Sequence, residues 1–186
     1  IGEPDKMASD ALAIMNEGYP AIKVKLGNDG AKDVVRMKAI REAVGPDIPL
    51  RIDANQGWNI EEAINTLKQL APLQIQHCEE PVPRWAILDM PYVRENSPIP
   101  IMCDESCGTP QDAERLIRLK ACDMLNIKLG KSGGIFKASQ IVKLAEKNNI
   151  HLQVGAFMES RLAMTAFAHF ACSSPQIDHY DFDTAL

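Results

Sequence analysis

The 186-residue sequence has no long hydrophobic run. Its 46% hydrophobic residues are enough for a sizeable core, yet no apolar stretch approaches the roughly 20 residues that span a bilayer. It has no excess of positive charge either. Its 20 Lys and Arg against 25 Asp and Glu give a net charge of −5, which gives no sign of nucleic-acid or anionic-membrane binding. Paired cysteines are missing. The five, at positions 78, 103, 107, 122 and 172, are odd in number and form no CxxC pair, the pattern of reduced, mostly buried thiols in a cytoplasmic protein. Residues Ile1-Gly2-Glu3-Pro4 carry neither the basic nor the apolar region of a secretory signal. His151, His169 and His179 show no metal-ligand spacing and read as structural.

What is present is a regular punctuation. Helical patterns over 5–17, 31–44, 60–70, 110–120, 135–148 and 160–172, with a weaker one over 85–95 interrupted by Pro91, alternate with short apolar strands over 21–26, 49–53, 74–79, 99–104, 123–128, 150–154 and 176–183. Strands this far apart pair in parallel through right-handed crossovers. The pattern predicts one α/β domain over residues 1–186. Strand after strand ends on an ionisable residue: Lys25, Asp53, Glu79, Asp104 and Lys128 follow at intervals of 28, 26, 25 and 24 residues. A doubly wound open sheet gathers its site on a few strand ends. Polar groups at nearly every strand exit can converge only if the strands close into a ring, the (β/α)8 barrel with its site at the C-terminal mouth. A complete barrel needs about 250 residues, and this sequence opens on a helix. Barrel strand 1 and the closing helix are therefore expected to be absent, leaving a partial barrel.

Strand alternation puts residues i and i+2 on one face. Lys23 and Lys25 share a face, as do Arg51 and Asp53, His77 and Glu79, Asn126 and Lys128, and Asp181 and Asp183. Asp53, Glu79 and Asp104, on consecutive strands, would repel one another unless a cation lay between them. Oxygen-only ligands favour Mg²⁺ or Mn²⁺ over Zn²⁺. Lys25 precedes the acids and Lys128 follows them, so the two amines are expected on opposite sides of the ion. Neighbouring cations, Lys23 among them, and desolvation make a neutral amine accessible. A base on each face of a metal-held carboxylate suits removal and return of the proton alpha to it, through an enolate. Glu80, beside Glu79, faces the other way.

Lys23-Val-Lys25, Asp53-Ala-Asn55, Glu79-Glu-Pro81, Asp104-Glu-Ser106 and Asn126-Ile-Lys128 with Lys131-Ser-Gly-Gly134 together resemble the enolase superfamily. The Lys-x-Lys placement is similar to its muconate-lactonizing subgroup, whose barrel is the modified (β/α)7β form. The resemblance implies Lys25 and Lys128 as acid/base catalysts and Asp53, Glu79 and Asp104 as Mg²⁺ ligands, with Asn55 and Arg51 behind them. Asp181-Phe-Asp183 and Met158-Glu159-Ser160 resemble dipeptide epimerases of the L-Ala-D/L-Glu type. There the Asp-x-Asp pair holds the free α-amino group of the substrate. This implies substrate contacts from Lys23, Glu159, Asp181 and Asp183.

The implied partner is a small dipeptide, with no nucleic acid and no membrane. The capping domain that sets side-chain specificity in this family is not in the sequence, and homo-oligomers are common among its members. Two other readings stay open. One is a different reaction of the same subgroup: muconate cycloisomerisation, o-succinylbenzoate synthesis or N-acylamino acid racemisation. The other is a non-catalytic barrel fragment. His77 is open to a supporting role beside Glu79 or a core role, and Trp58 to lining the mouth or packing. Lys131–Gly134 reads as an anion cradle at a helix start or as a turn that simply needs glycine.

Overall fold

The structure, a computed structural model, describes residues 1–182. The chain falls into two compact units, Ile1–Ile101 and Met102–Leu186, with no change of composition at the boundary.

The first unit runs α1 (Pro4–Asn16), β1 (Ile22–Lys25), α2 (Gly30–Val44), β2 (Leu50–Asp53), α3 (Ile60–Leu70), β3 (Ile75–Glu79) and α4 (Met90–Asn96), with 3₁₀ turns at Ala71–Leu73 and Arg84–Ala86. The helices start where side-chain caps permit. Asp29 accepts from the backbone N–H of Lys32, and Asn59 from that of Glu62, each satisfying one orphan amide. On α3 the buried residues Ala63, Ile64, Leu67 and Leu70 recur at helical spacing. The segment 85–95 differs from expectation. Pro91 lies in the first turn of α4, where its missing N–H costs nothing, so it opens the helix instead of interrupting it.

β1, β2 and β3 pair in parallel. Lys25 stands level with Asp53, and Asp53 with Glu79. The second match depends on an irregularity. Leu50 is level with Ile75 but Ile52 with Cys78, so β3 carries one extra residue, a bulge. An unbroken register would have set Cys78 beside Asp53. The bulge sets Glu79 there.

The second unit runs β4 (Ile101–Cys103, its first residue counted in the first unit), α5 (Pro110–Leu119), β5 (Met124–Ile127), α6 (Ile135–Asn148), β6 (His151–Gly155), α7 (Arg161–Ala171) and β7 (Ile177–Asp181). Neighbours in this order pair in parallel. Thr109 and Asp112 form a reciprocal capping box ahead of Pro110. Leu125, Ile127, Leu152, Val154, Ala138 and Ile141 are fully buried in its core. Phe182, just past β7, packs edge-on against Phe167 of α7 with ring centres 6.3 Å apart. That is the helix-facing side expected from its alternation with Asp181. Among the described residues, no helix is long and apolar enough to cross a membrane.

Candidate active site

In the first unit the strand-end acids are buried and held by lysines. Asp53 and Glu79 are fully buried. Lys25 Nζ lies 2.6 Å from Asp53 Oδ2. Lys23 Nζ lies 3.3 Å from the same oxygen and 2.7 Å from Glu79 Oε2. A single ammonium thus joins the carboxylates of β2 and β3, which shows that one cation can be reached by both. The two lysines differ in exposure: the Lys23 side chain is 14% exposed and that of Lys25 47%.

The turn after β2 orients Asp53. The Asn55 backbone N–H donates to Asp53 Oδ1 at 2.9 Å, an Asx-type turn. Asn55 and Gln56 adopt left-handed φ angles of 44° and 67°. The chain thereby folds back, so that Gln56 N–H reaches the Glu80 carbonyl at 2.8 Å. The Asn55 backbone N–H is thus one support of the acid. Arg51 Nε donates to Gln76 Oε1 at 2.9 Å. Trp58 is buried, not at a mouth, and its Nε1 donates to Asp33 Oδ2 at 3.0 Å. His77 is fully buried on β3. Cys78, between the acids in sequence, is held well above the ordinary thiol range, first by burial and then by the charges of Asp53, Glu79 and Glu80. It is an inert thiol.

Two glycines permit the loops behind Lys25 and Asp53 to touch. A Cβ on Gly27, whose φ is +100°, would lie 2.0 Å from the Ala54 carbonyl oxygen. One on Gly57 would lie 1.9 Å from the Gly27 carbonyl oxygen. Only glycine fits such an approach.

In the second unit one acid is gripped by two lysines. Asp104 follows β4 and is 1% exposed. Lys128 Nζ lies 2.6 Å from its Oδ2 and Lys131 Nζ 2.5 Å from its Oδ1. Lys131 also donates to the Asp104 carbonyl and, at 2.9 Å, to the Asn126 carbonyl. Of the two readings of 131–134, the turn that needs glycine fits the φ of +75° and +88° at Gly133 and Gly134, and Lys131 braces Asp104. Lys128 Nζ sits 4.9 Å from the centre of the Phe157 ring, a cation–π contact. Gly155 makes room for it: a Cβ there would stand 2.8 Å from Asn126 Oδ1 and 3.2 Å from Lys128 Cε. Burial raises Cys107 to about 12; Lys131 opposes that shift, and Cys122, Asp112 and Asp104 add to it.

Glu159 is half-buried, with its carboxylate and the Phe157 ring both close to Gly130. Asp181 is half-buried at the end of β7, and its carbonyl accepts from Ala156 N–H at 3.1 Å. Asp183 lies outside the described residues. His151 and His179 both lie on Asp178, at 2.7 and 2.8 Å, a structural clamp between β6 and β7.

Sequence reasoning missed the roles of Lys131, Gly155 and Asp33, since each depends on a contact through space. Among the described residues, no three His, Cys, Asp or Glu side chains stand close enough to hold an ion as they are. The acids are drawn to ammonium groups instead. The donor set still fits a hard divalent cation: buried carboxylate oxygens, level strand ends, and a positive centre already shared by Asp53 and Glu79.

The model of the enolase C-terminal domain-like family matches residues 6–185. The chain is 54% identical over its whole length to the D-Ala-D/L-Ala epimerase of Cytophaga hutchinsonii, of which it covers 50%. It is 38% identical to the L-Ala-D/L-Glu epimerase of Bacillus subtilis, covering 100% of this chain and 52% of that protein. It is also 38% identical to the N-succinyl-L-Arg/Lys racemase of Bacillus cereus, covering 93% and 47%. The solved dipeptide epimerase of Cytophaga hutchinsonii, complexed with Mg and the dipeptide D-Ala-L-Val, superposes with a TM-score of 0.98 over 99% of this chain and 50% of that one. The fold is thus the α/β barrel portion of enolase-superfamily structures, and the chain spans about half the length of the curated relatives it matches. Nearly every residue of the chain falls within that match, and the chain belongs to the enolase C-terminal domain-like family.

Proposed function

We propose that the protein carrying this chain epimerises a dipeptide, inverting the α carbon next to the C-terminal carboxylate, with Lys25 and Lys128 removing a proton from one face and delivering another to the opposite face. The observation that carries the reading is the pairing of these two lysines with separate buried acids, Asp53 and Asp104, each at 2.6 Å. Likeness to dipeptide epimerases along the whole chain supports it.

In one direction Lys25, as the neutral amine, takes the α proton. The C–H electron pair moves into the carboxylate to give the enolate. The Lys128 ammonium then delivers a proton to the opposite face. Each turnover removes one proton and delivers one, proton exchange with water returns the two amines to their starting states, and for the other epimer the roles exchange. Asp53, Glu79 and Asp104 would hold Mg²⁺. A bound Mg²⁺ supplies positive charge that lowers the cost of the second negative charge on the substrate carboxylate. Lys23 adds a further ammonium beside the same acids. Asp181 and Asp183 pair with the free α-ammonium of the dipeptide, with Glu159 nearby; a dicarboxylate suits that cation.

Incubation of the protein with alanyl dipeptides and Mg²⁺ in D₂O tests this. Each C-terminal epimer should gain one mass unit and convert to the other. Wash-in from one epimer only, in wild type, would refute the two-base scheme. A Mg²⁺ titration should also raise the unfolding free energy by about 2.7 kcal/mol at a hundredfold excess over the dissociation constant; a non-catalytic scaffold would show neither effect.

The likeness to an N-succinyl amino acid racemase favours a second reading, racemisation of an N-acylated substrate. Such a substrate has no free ammonium. Asp181→Asn should therefore raise KM for dipeptides about tenfold or more and leave acylated substrates unaffected, taking a charge-assisted hydrogen bond as worth roughly 1.5–3 kcal/mol.

A further inference from the structure

The loops that carry Lys25 and Asp53 meet behind the strand ends, and a third group fastens them there. Asp33, on α2, is fully buried. Its Oδ2 accepts from Gly27 N–H at 2.9 Å and from Trp58 Nε1 at 3.0 Å. Its Oδ1 accepts from Arg36 Nη1 at 2.8 Å, and Arg36 Nε donates to the Gly2 carbonyl at 2.9 Å. Gly27 lies two residues after Lys25, and Trp58 five after Asp53. One oxygen therefore ties both strand-exit loops to the same point.

A helix residue that served only its own helix would bond to its own turn. Asp33 instead spends one oxygen on two loops, the one leading into its own helix and the one after β2, 25 residues on, and Arg36 neutralises it on the other side. A buried carboxylate persists only when paired and hydrogen-bonded, and here three donors meet that need. The neighbouring contacts leave no slack. Leu26 N–H bonds the Asp53 carbonyl at 2.8 Å, and Gly27 and Gly57 touch the opposing backbone at distances no side chain allows. A small shift of the Asp33 carboxylate is therefore transmitted to the relation between Lys25 and Asp53.

We infer that Asp33 is a positioning residue: through Gly27 and Trp58 it fixes the Lys25 ammonium on Asp53, and so sets the geometry of one of the two bases. The link to catalysis rests on the epimerase reading above; the link to Lys25 geometry does not. Asp33 touches none of the reacting groups, and Lys128 has its own support from Asp104 and Phe157. Loss of Asp33 should therefore act most strongly on the face served by Lys25, with a smaller effect on both faces through the Asp53 loop.

The test uses the natural protein carrying this chain, with two single variants and one double variant. Asp33→Asn keeps the shape but sets an amide N–H₂ against Arg36. Trp58→Phe keeps the packing and removes one donor, so it serves if the first variant folds poorly. The first readout is acetylation of Lys25 by acetic anhydride, measured by peptide mass spectrometry against the exposed Lys32. Release of Lys25 from Asp53 should raise its labelling rate several-fold in either variant, and the double variant Asp33→Asn with Arg36→Gln should restore it partly, since the amide then has an acceptor. The second is α-proton exchange in D₂O on L-Ala-L-Ala and L-Ala-D-Ala. The epimer deprotonated by Lys25 should slow about tenfold or more, and the one deprotonated by Lys128 should slow far less. Unchanged Lys25 labelling in both folded variants would overturn the positioning role, whatever the activity. Equal slowing of both epimers would also overturn it, as a merely structural role. Absence of exchange in wild type would count against the epimerase reading alone, and labelling would then decide the role of Asp33.

Discussion

The two units hold their lysines in different ways. In the first, one ammonium serves two acids: Lys23 joins Asp53 to Glu79, and Lys25, half exposed, holds Asp53 by a single contact. In the second, one acid takes two ammonium groups: Asp104 binds Lys128 and Lys131, and the Lys128 side chain is only 9% exposed, beside Phe157. The first arrangement sets two ammonium groups on two acids, the second two on a single acid. An ion pair open to water is screened and contributes little to stability, whereas removing one partner of a buried pair exposes the full desolvation cost of the other. Two lysines with the same proposed chemistry should therefore differ in what they do for the fold.

The sharpest way to break this contrast is to delete each amine. Lys25→Ala and Lys128→Ala should both lower epimerisation by roughly 10²–10⁴-fold or more, the usual worth of a positioned acid or base. Their stabilities should part. Lys25→Ala should cost under about 1 kcal/mol in urea unfolding. Lys128→Ala should approach, though not reach, the roughly 3–5 kcal/mol of an uncompensated buried charge, because Lys131 still neutralises Asp104. Equal stability losses would show that the difference in burial has no consequence.

The next largest effects belong to glycines. Gly27→Ala forces a Cβ to 2.0 Å from a carbonyl oxygen at a φ of +100°, which no side-chain motion relieves, and it should leave little folded protein on expression. Gly155→Ala meets side chains that can shift, Asn126 and the Lys128 stem. It should fold with a loss of about 1–3 kcal/mol and a displaced Lys128. Similar behaviour of the two variants would mean that the strand-exit loops of the first unit are no more rigid than those of the second.

The smallest effect is a pH dependence confined to the second unit. Burial alone would raise Asp178, but hydrogen bonds from His179 and His151 and their charges outweigh it and hold the carboxyl below its ordinary 3.8. A carboxylate whose folded pKa is depressed stabilises the fold above its unfolded pKa and loses that contribution as pH falls through the folded value. The loss should therefore fall below about pH 4. The Asp178 side chain is 38% exposed, so the amount should stay under about 1 kcal/mol. Asp178→Asn should flatten the acid limb of stability against pH, measured by thermal unfolding.

The legible part of this molecule is its local grammar. Asp29, Asn59 and Thr109 announce helix starts whose caps depend only on residues three positions away. Alternation in Lys23-Val24-Lys25 places two amines on one side and a buried valine on the other. The recurrence of ionisable residues at strand exits follows from the same short-range periods, which is why the parallel α/β class and the candidate residues could be read directly. Pro91 shows where that grammar misleads: a proline inside a helical pattern breaks a helix or opens one, according to where the helix begins.

The sequence by itself determined which ionisable residues stand at or just past the strand ends, because alternation and capping act over a few bonds. Only the tertiary structure decided the rest. The bulge in β3 makes Glu79 the neighbour of Asp53, Lys131 turns out to brace Asp104, and Asp33 gathers Gly27 and Trp58 onto one oxygen. Those outcomes depend on register and on bringing together strand ends and loops some 25 or more positions apart, Asp53 with Glu79, Asp104 with Lys131 and Gly27 with Trp58. Such separations are set by how whole elements pack, which no local pattern encodes.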